Sequence, residues 1–251
     1  MFAKNLLSLS HIITTNMAEE KKRRPRRTKA NLIECINNAA EEQIRKDGFS
    51  NLLVTDIIKR AKIEPVVFYK RYHNLETFLS EFVKNYDYWF SDVLKDLKSP
   101  VTSKEGMTEI FQRLIAELNK DSVMLELLRW EVAIGNSTTA RTAMLREIHI
   151  MPLVKDFEVL FHDKGVDIAA LTALIIGGLY YLSLHKDRSP FSGIDINTQE
   201  GLCRIQNAIQ YFVKKIYEEN KLHDDRKLIA YRLKEAGVSE DIIEQCVWGR
   251  K

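Results

Sequence analysis

Two short helical segments joined by a three-residue turn constrain this chain more than any other feature. Residues 54–61 repeat apolar side chains at the spacing of one helix face. Residues 62–64 leave room only for a turn, and Pro65 suits the first position of a new helix, where its missing N–H costs nothing. A third helix is expected to begin at Leu75, with Asn74 as its N-cap. This arrangement predicts a helix-turn-helix, a motif that presents its second helix to the DNA major groove.

The second helix of this motif mixes basic, aromatic and β-branched side chains. Basic side chains there suit phosphates or guanine O6 and N7, and valines suit thymine methyl groups. Alternatively, one or both valines pack inside the domain with Phe68 and Tyr72, and packing is the preferred interpretation for these two aromatic residues. The candidate DNA contacts in this region are Thr55, Val66, Val67, Tyr69, Lys70 and Arg71.

The N-terminal domain resembles that of the TetR family of transcriptional repressors. The resemblance rests on Gly48, Phe49, Ile57, Ala61, Ile63, Phe68, Tyr69, Tyr72, Glu76 and Phe78. The chain departs from the family pattern at Leu53, Lys62, 64–66 and Leu75. The family usually has glycine at the position of Lys62. Because lysine has a Cβ and glycine does not, a left-handed backbone at Lys62 would carry steric strain.

A basic segment precedes the motif. Residues 21–29 hold seven basic side chains, and Arg26 and Arg27 are candidate DNA contacts. Residues 17–79 contain 14 Lys/Arg and 9 Asp/Glu, whereas residues 80–251 contain 23 and 26. The net charges of +5 and −3 favour nucleic acid at the N-terminal end only, although an isolated basic run is more often a solvated tail. We expect 1–27 to be a disordered basic arm, in which 1–16 is either a start-codon artefact or an extension.

The rest of the chain predicts an all-α protein. Glycine and proline number only 10 and 5, and long segments repeat apolar residues at helical period. We expect a helix-turn-helix domain at 28–74 and a helical effector-binding and dimerisation domain at 75–220. The predicted helices after the motif are 75–97, 105–119, 121–135, 138–162, 167–185 and 198–219, with Pro152 kinking or splitting the fourth of these. Residues 221–251 are expected to form a helical hairpin, with helices at 228–236 and 241–247.

One predicted helix is unusually apolar. Residues 168–184 carry no charge over 17 positions, which is the lower limit for a membrane span, but a buried helix is the preferred interpretation. The family resemblance implies that this helix and the next form the four-helix bundle of a homodimer. Such a dimer would place two recognition helices about 34–36 Å apart on a pseudo-palindromic operator. The candidate interface residues are Ala169, Ala173, Gly177, Tyr181, Ile209 and Phe212.

The resemblance also implies an effector pocket inside the larger domain. Its candidate lining residues are Trp89, Phe111, Trp130, Met144, Phe157 and Tyr180, although aromatic residues at helical spacing more often belong to an ordinary core. The sequence contains no catalytic motif, so we expect neither an enzyme nor a cofactor or metal site. Three widely separated cysteines suit the reducing cytoplasm.

Together these features predict a cytoplasmic DNA-binding transcriptional regulator. The preferred hypothesis is a ligand-responsive repressor that binds double-stranded DNA as a homodimer, and whose unknown small-molecule effector tilts the helix at 75–97. The alternative is a helical protein-interaction module that kept the fold and lost sequence-specific DNA binding.

Overall fold

The computed structural model describes residues 28–162 and 164–249, which form helices, turns and loops without a β-strand. The predicted all-α fold is confirmed over these residues. We call α1–α4 the head and α5–α10 the body. The helices are α1 Lys29–Asp47, α2 Val54–Ala61, α3 Pro65–Tyr72, α4 Leu75–Phe82, α5 Trp89–Val93, α6 Lys104–Lys120, α7 Ser122–Ala133, α8 Ser137–Leu160, α9 Ile168–His185, α10 Gln199–Glu235 and α11 Glu240–Ile243.

Local signals set the ends of the head helices. Thr28 caps α1 by accepting a hydrogen bond from the backbone N–H three residues later, and Gly48 ends the helix with φ of 76°. Asn74 caps α4 in the same way as Thr28 caps α1. Lys62 ends α2 in the left-handed conformation, with φ and ψ both 52°. The head therefore keeps the predicted starts of α2, α3 and α4 and accepts one strained residue at its central turn.

The sequence prediction of a single helix over 75–97 is wrong. After α4 the chain passes through a 3-10 turn at Val83–Tyr86, and α5 begins only at Trp89. His149 Nδ1 lies 2.8 Å from the carbonyl oxygen of Asp87, and Arg141 donates to the Asp87 carboxylate at 2.6 Å. Both partners belong to α8, so contacts with the body hold the interruption in place.

α8 also differs from the sequence expectation. It continues through Pro152 without being split. The sequence predicts that it begins at residue 138, but it begins at Ser137 and its N-cap is Asn136. The Asn136 side chain accepts the Thr139 N–H at 2.9 Å, and Thr139 Oγ1 accepts the Asn136 N–H at 3.0 Å.

The C-terminal hairpin is shorter than the sequence predicts. α10 runs unbroken for 37 residues, so the expected first hairpin helix at 228–236 is its continuation. Residues 220–227 contain neither glycine nor proline, and therefore no signal that would end the helix. Only α11 and the π-helical segment Glu244–Trp248 fold back, with the Trp248 ring 5.4 Å from that of His223 on α10.

α6 supplies the centre of the body core. Its first turn passes very close to the preceding loop, because a Cβ on Gly106 would lie 2.0 Å from the carbonyl oxygen of Pro100. Glycine is required at this position for the helix to start where it does. The buried side chains of α6 recur at helical spacing and are Met107, Ile110, Phe111, Leu114, Ile115 and Leu118.

Within one chain, α9 is not the buried helix that the sequence predicts. Only 17% of its 18 residues are buried, and these are Ile168, Leu179 and Ser183. Among the residues that the structure describes, it is the one helix long and apolar enough to cross a membrane, which by itself is weak evidence for a span. A large part of this helix is therefore open for contact with another apolar surface.

Candidate DNA-binding surface and ligand-binding cavities

The outer face of α3 is exposed and chemically mixed. Val66 is 69% exposed, and Tyr69, Lys70 and Arg71 are also exposed. Val67 is half-buried. Since these side chains share a short helix that follows a tight turn, they form a surface with the size and composition of a recognition helix.

The inner face of α3 packs into the head. Phe68 is fully buried and Tyr72 nearly so, which is the packing role that the sequence analysis prefers for them. The Arg71 guanidinium lies 5.1 Å from the centroid of the Tyr72 ring, so its stem is supported by the same aromatic residue. Thr55 is exposed on α2, whereas Arg26 and Arg27 lie outside the described residues.

A series of aromatic contacts joins the body to α3. Trp130 on α7 stacks on Phe49 with ring centroids 5.1 Å apart and planes within 8°. The Phe49 ring then lies 6.2 Å from that of Phe82. The Phe82 ring lies 5.6 Å from that of Phe78, which lies 5.1 Å from that of Tyr72. We call these five residues the aromatic chain. Trp130 is a candidate effector-pocket residue in the sequence analysis, but the structure places it between head and body.

Two cavities meet between α6, α8 and α9. The inner cavity measures about 30 Å³, and the outer groove, between α8 and α9, measures about 630 Å³. Both are lined by Ile150, Val154, Ala169, Thr172 and Ile176. The combined space falls in the range of small-molecule sites, about 300–1,000 Å³.

The structure brings together three of the six candidate pocket residues. Phe111 and Phe157 line the inner cavity, and Tyr180 lines the outer groove. Trp89 instead lines a separate cleft, between α5 and α6. Met144 is 57% exposed on α8 and lines neither the inner cavity nor the outer groove.

An ion pair connects the outer groove to α7. Arg146, which lines the groove, donates to both carboxylate oxygens of Glu131, at 2.9 and 2.5 Å. Thr142 donates to Glu131 at 2.6 Å. Burial raises the pKa of the Tyr180 hydroxyl. The charge of Arg146 lowers this pKa and the charge of Glu131 raises it. Since Glu131 directly follows Trp130, the ion pair from the groove and the aromatic chain end on consecutive residues of α7.

Comparisons with known proteins point to one fold. No protein-family model and no curated protein matches the sequence. Among solved structures, FadR from Bacillus subtilis in complex with stearoyl-CoA is 16% identical, with a TM-score of 0.56 over 72% of this chain and 96% of its own. A TetR family transcription regulator from Marinobacter aquaeolei VT8 is 17% identical, with a TM-score of 0.53 over 72% and 94%. Salmonella enterica GusR is 13% identical, with a TM-score of 0.53 over 75% and 98%.

The chain has the TetR-family fold. The resemblance seen in the helix-turn-helix thus extends across most of the chain. At these low identities the agreement concerns the fold, and the departures at Leu53 and Lys62 remain features of this TetR-like chain. Leu53 occupies the N-cap of α2 without a side-chain hydrogen bond to the helix.

The TetR-like body leaves an apolar surface uncovered between α9 and α10. A groove of about 520 Å³ runs along it. We define the apolar face as the exposed apolar residues that line this groove, namely Leu171, Leu174, Gly178, Ala208 and Phe212; the groove is also lined by the exposed charged residues Lys215 and Glu219. A methyl group on Gly177 or Gly178 would meet no other atom within 4 Å, so the chain itself does not need the close approach that glycine permits.

The six candidate dimer residues lie in three environments. Phe212 belongs to the apolar face and Tyr181 is exposed beside it, while Ile209 is buried beneath. The other three, Ala169, Ala173 and Gly177, line the outer groove on the opposite side of α9. The sequence analysis missed Leu171 and Leu174, whose signal was their spacing of three residues on an uncharged helix.

Proposed function

We propose that this chain is a cytoplasmic, ligand-responsive transcriptional repressor that binds a pseudo-palindromic operator as a homodimer. The observation that carries this proposal is the outer face of α3, where Tyr69, Lys70 and Arg71 are exposed beside Val66 while Phe68 is fully buried. This division leaves the basic and aromatic side chains free for bases and phosphates.

The apolar face supports a homodimer. Leu174 is 74% exposed on a helix with no charged side chain, and Phe212 is 54% exposed next to it. A second copy brings an identical face related by two-fold symmetry, as most soluble homodimers do. The same symmetry would present two α3 helices to successive major grooves, about 34–36 Å apart.

The outer groove and the aromatic chain support a response to ligand. A molecule in the groove contacts Arg146, whose partner Glu131 is covalently next to Trp130. Displacement of α7 would be transmitted through the stacked Phe49 ring to the head. A ligand that favours the displaced state by about 1–3 kcal/mol would change operator affinity roughly 5–150-fold. In this mechanism the interrupted segment between α4 and α5 moves as several pieces, in place of one tilting helix.

Binding of the full chain to DNA tests the proposal. Fluorescence anisotropy would compare the DNA upstream of its own gene with a scrambled duplex across a salt series. We expect preferential binding and a steep decrease in log affinity with log salt concentration. Lys70→Ala/Arg71→Ala should reduce operator affinity about 100-fold, because each contact is worth about 1–3 kcal/mol.

A matched control is Lys155→Ala/Lys227→Ala, which removes two exposed basic side chains from α8 and α10. It should retain operator affinity close to that of the unmodified chain. Equal and weak binding to both duplexes would overturn the proposal. It would favour the helical interaction module, for which the same α3 variant should retain partner binding.

A further inference from the structure

The side chains that line the two cavities of the body indicate which chemical class of ligand fits there. The inner cavity is lined almost entirely by apolar side chains. Its one hydroxyl, on Thr172, already donates to the carbonyl oxygens of Ile168 and Ala169, at 2.9 and 3.0 Å. At about 30 Å³ the inner cavity accepts only a small apolar group, while the body of a ligand occupies the outer groove.

The charges around the outer groove disfavour an anion. Arg146 is the one cationic residue in its lining, and both of its donated bonds go to Glu131. The other charged lining residues are Glu147 and Glu158. A carboxylate or phosphate in the groove would therefore find carboxylates in the lining and a cation that is already neutralised.

The same charges do not form a site for a cation. Glu147 and Glu158 are exposed and eleven residues apart on α8, which separates their Cα atoms by roughly 16 Å along the axis. One ammonium group cannot contact both, and a single exposed pair contributes little. The groove is thus best suited to an uncharged molecule.

Tyr180 supplies the polar group that is still without a partner. Tyr180 lines the outer groove, and its hydroxyl oxygen is shielded from water and makes no hydrogen bond to any described residue. A buried hydroxyl without a partner is costly, and an acceptor atom that reaches it removes this cost. Because the hydroxyl is now shielded from water, an acceptor meets it only when the ligand displaces part of the groove wall.

We infer that the outer groove binds an uncharged, mainly apolar molecule that carries one hydrogen-bond acceptor such as a carbonyl oxygen, and that the Tyr180 hydroxyl selects for this acceptor. The inference rests on the proposed function in one respect, namely that this ligand is the effector. Its chemistry differs from that of stearoyl-CoA, the molecule bound to the FadR structure, which is a polyanion.

Calorimetry with four compounds on a shared phenyl–alkyl skeleton tests the inference on the full chain without DNA. The probes are butyrophenone as the neutral acceptor, butylbenzene without a polar group, 4-phenylbutyrate as the anion and 4-phenylbutylamine as the cation. Butyrophenone should bind at least about tenfold more tightly than either ion. Tyr180→Phe should weaken butyrophenone about 5–10-fold, the effect of one hydrogen bond, and leave butylbenzene unchanged.

Thermal unfolding of the same variant without ligand gives a second readout. Tyr180→Phe should raise Tm, since it removes a buried hydroxyl that has no partner. Tyr217→Phe is the matched control and should lower Tm, because the Tyr217 hydroxyl donates to the carbonyl oxygen of Thr102 at 2.5 Å.

Several results would overturn the inference. These are equal or tighter binding of either ion, an unchanged butyrophenone affinity in Tyr180→Phe, a lower Tm for that variant, or no binding of butyrophenone up to its solubility limit. The proposed function is measured separately, by adding butyrophenone to the operator complex. Binding that leaves operator affinity unchanged would overturn the ligand response and leave the ligand chemistry in place.

Discussion

The head and the apolar face use large hydrophobic side chains in opposite ways. In the head, Phe68 and Phe78 are fully buried and their rings contact at 5.6 Å. On the apolar face, Leu174 and Phe212 are more than half exposed. The head thus completes its core within one chain, whereas the body leaves part of its hydrophobic surface for another molecule to cover. Each of the following variants tests one side of this contrast.

The largest expected effect is on the buried side. Phe49→Ala should lower the free energy of unfolding by about 3–5 kcal/mol, because it leaves a cavity between Trp130 and Phe82. Urea denaturation followed by circular dichroism measures this loss. Tyr88→Ala is the control, since Tyr88 is stacked on His149 but exposed, and should cost less than about 0.5 kcal/mol. Equal losses would mean that the stack between head and body is not part of a rigid core.

On the exposed side, a charge should separate the proposed homodimer. Leu174→Glu places a carboxylate at the centre of the apolar face and should weaken self-association at least about 30-fold, the effect of losing an interface hot spot. Sedimentation velocity over a concentration series measures the dissociation constant. Val159→Glu, at a residue 78% exposed on α8, should leave it unchanged. A monomeric unmodified chain would contradict the proposed homodimer.

The loss of stability at alkaline pH should depend on buried tyrosines and not on exposed ones. Burial raises the pKa of Tyr217 to about 12 and also raises the pKa of Tyr86. The unfolded chain releases these protons near pH 10, whereas the folded chain keeps them. Stability is therefore fully present below pH 10 and falls as the pH rises from 10 towards 12. Urea midpoints across this range should fall less steeply for Tyr217→Phe, and as steeply as in the unmodified chain for Tyr231→Phe, at an exposed position on α10.

The smallest expected effect concerns the turn of the head. Lys62→Gly should raise the free energy of unfolding by about 0.5–1 kcal/mol, since glycine takes the left-handed conformation without the Cβ clash. Lys59→Gly, three residues earlier inside α2, should instead lower it by about 1 kcal/mol. Chemical denaturation of both variants measures the sign. A loss of stability in Lys62→Gly would show that its side chain contributes more than its backbone costs.

Short-range signals in the sequence determined most helix boundaries. Asn74 caps α4 where the pattern predicts it, and Thr28, Gly48 and Asp167 cap or end their helices by equally local contacts, because capping depends on a hydrogen bond within three or four residues. The sequence analysis missed the continuation of α10 to Glu235, although the absence of glycine and proline at 220–227 was a signal for it.

Only the tertiary structure decided what the helices do together. In the sequence Trp130 is an aromatic residue at helical spacing, like the other candidate pocket residues. In the structure it stacks on Phe49, 81 positions earlier in the sequence. The interruption at Asp87 depends on His149 and Arg141, which are also distant along the chain. Helical periodicity marks which face of a segment is apolar, but it does not state which other segment covers that face. The partners of a face are chosen by packing of the whole chain, so the groove at Tyr180 and the uncovered apolar face between α9 and α10 became visible only in three dimensions.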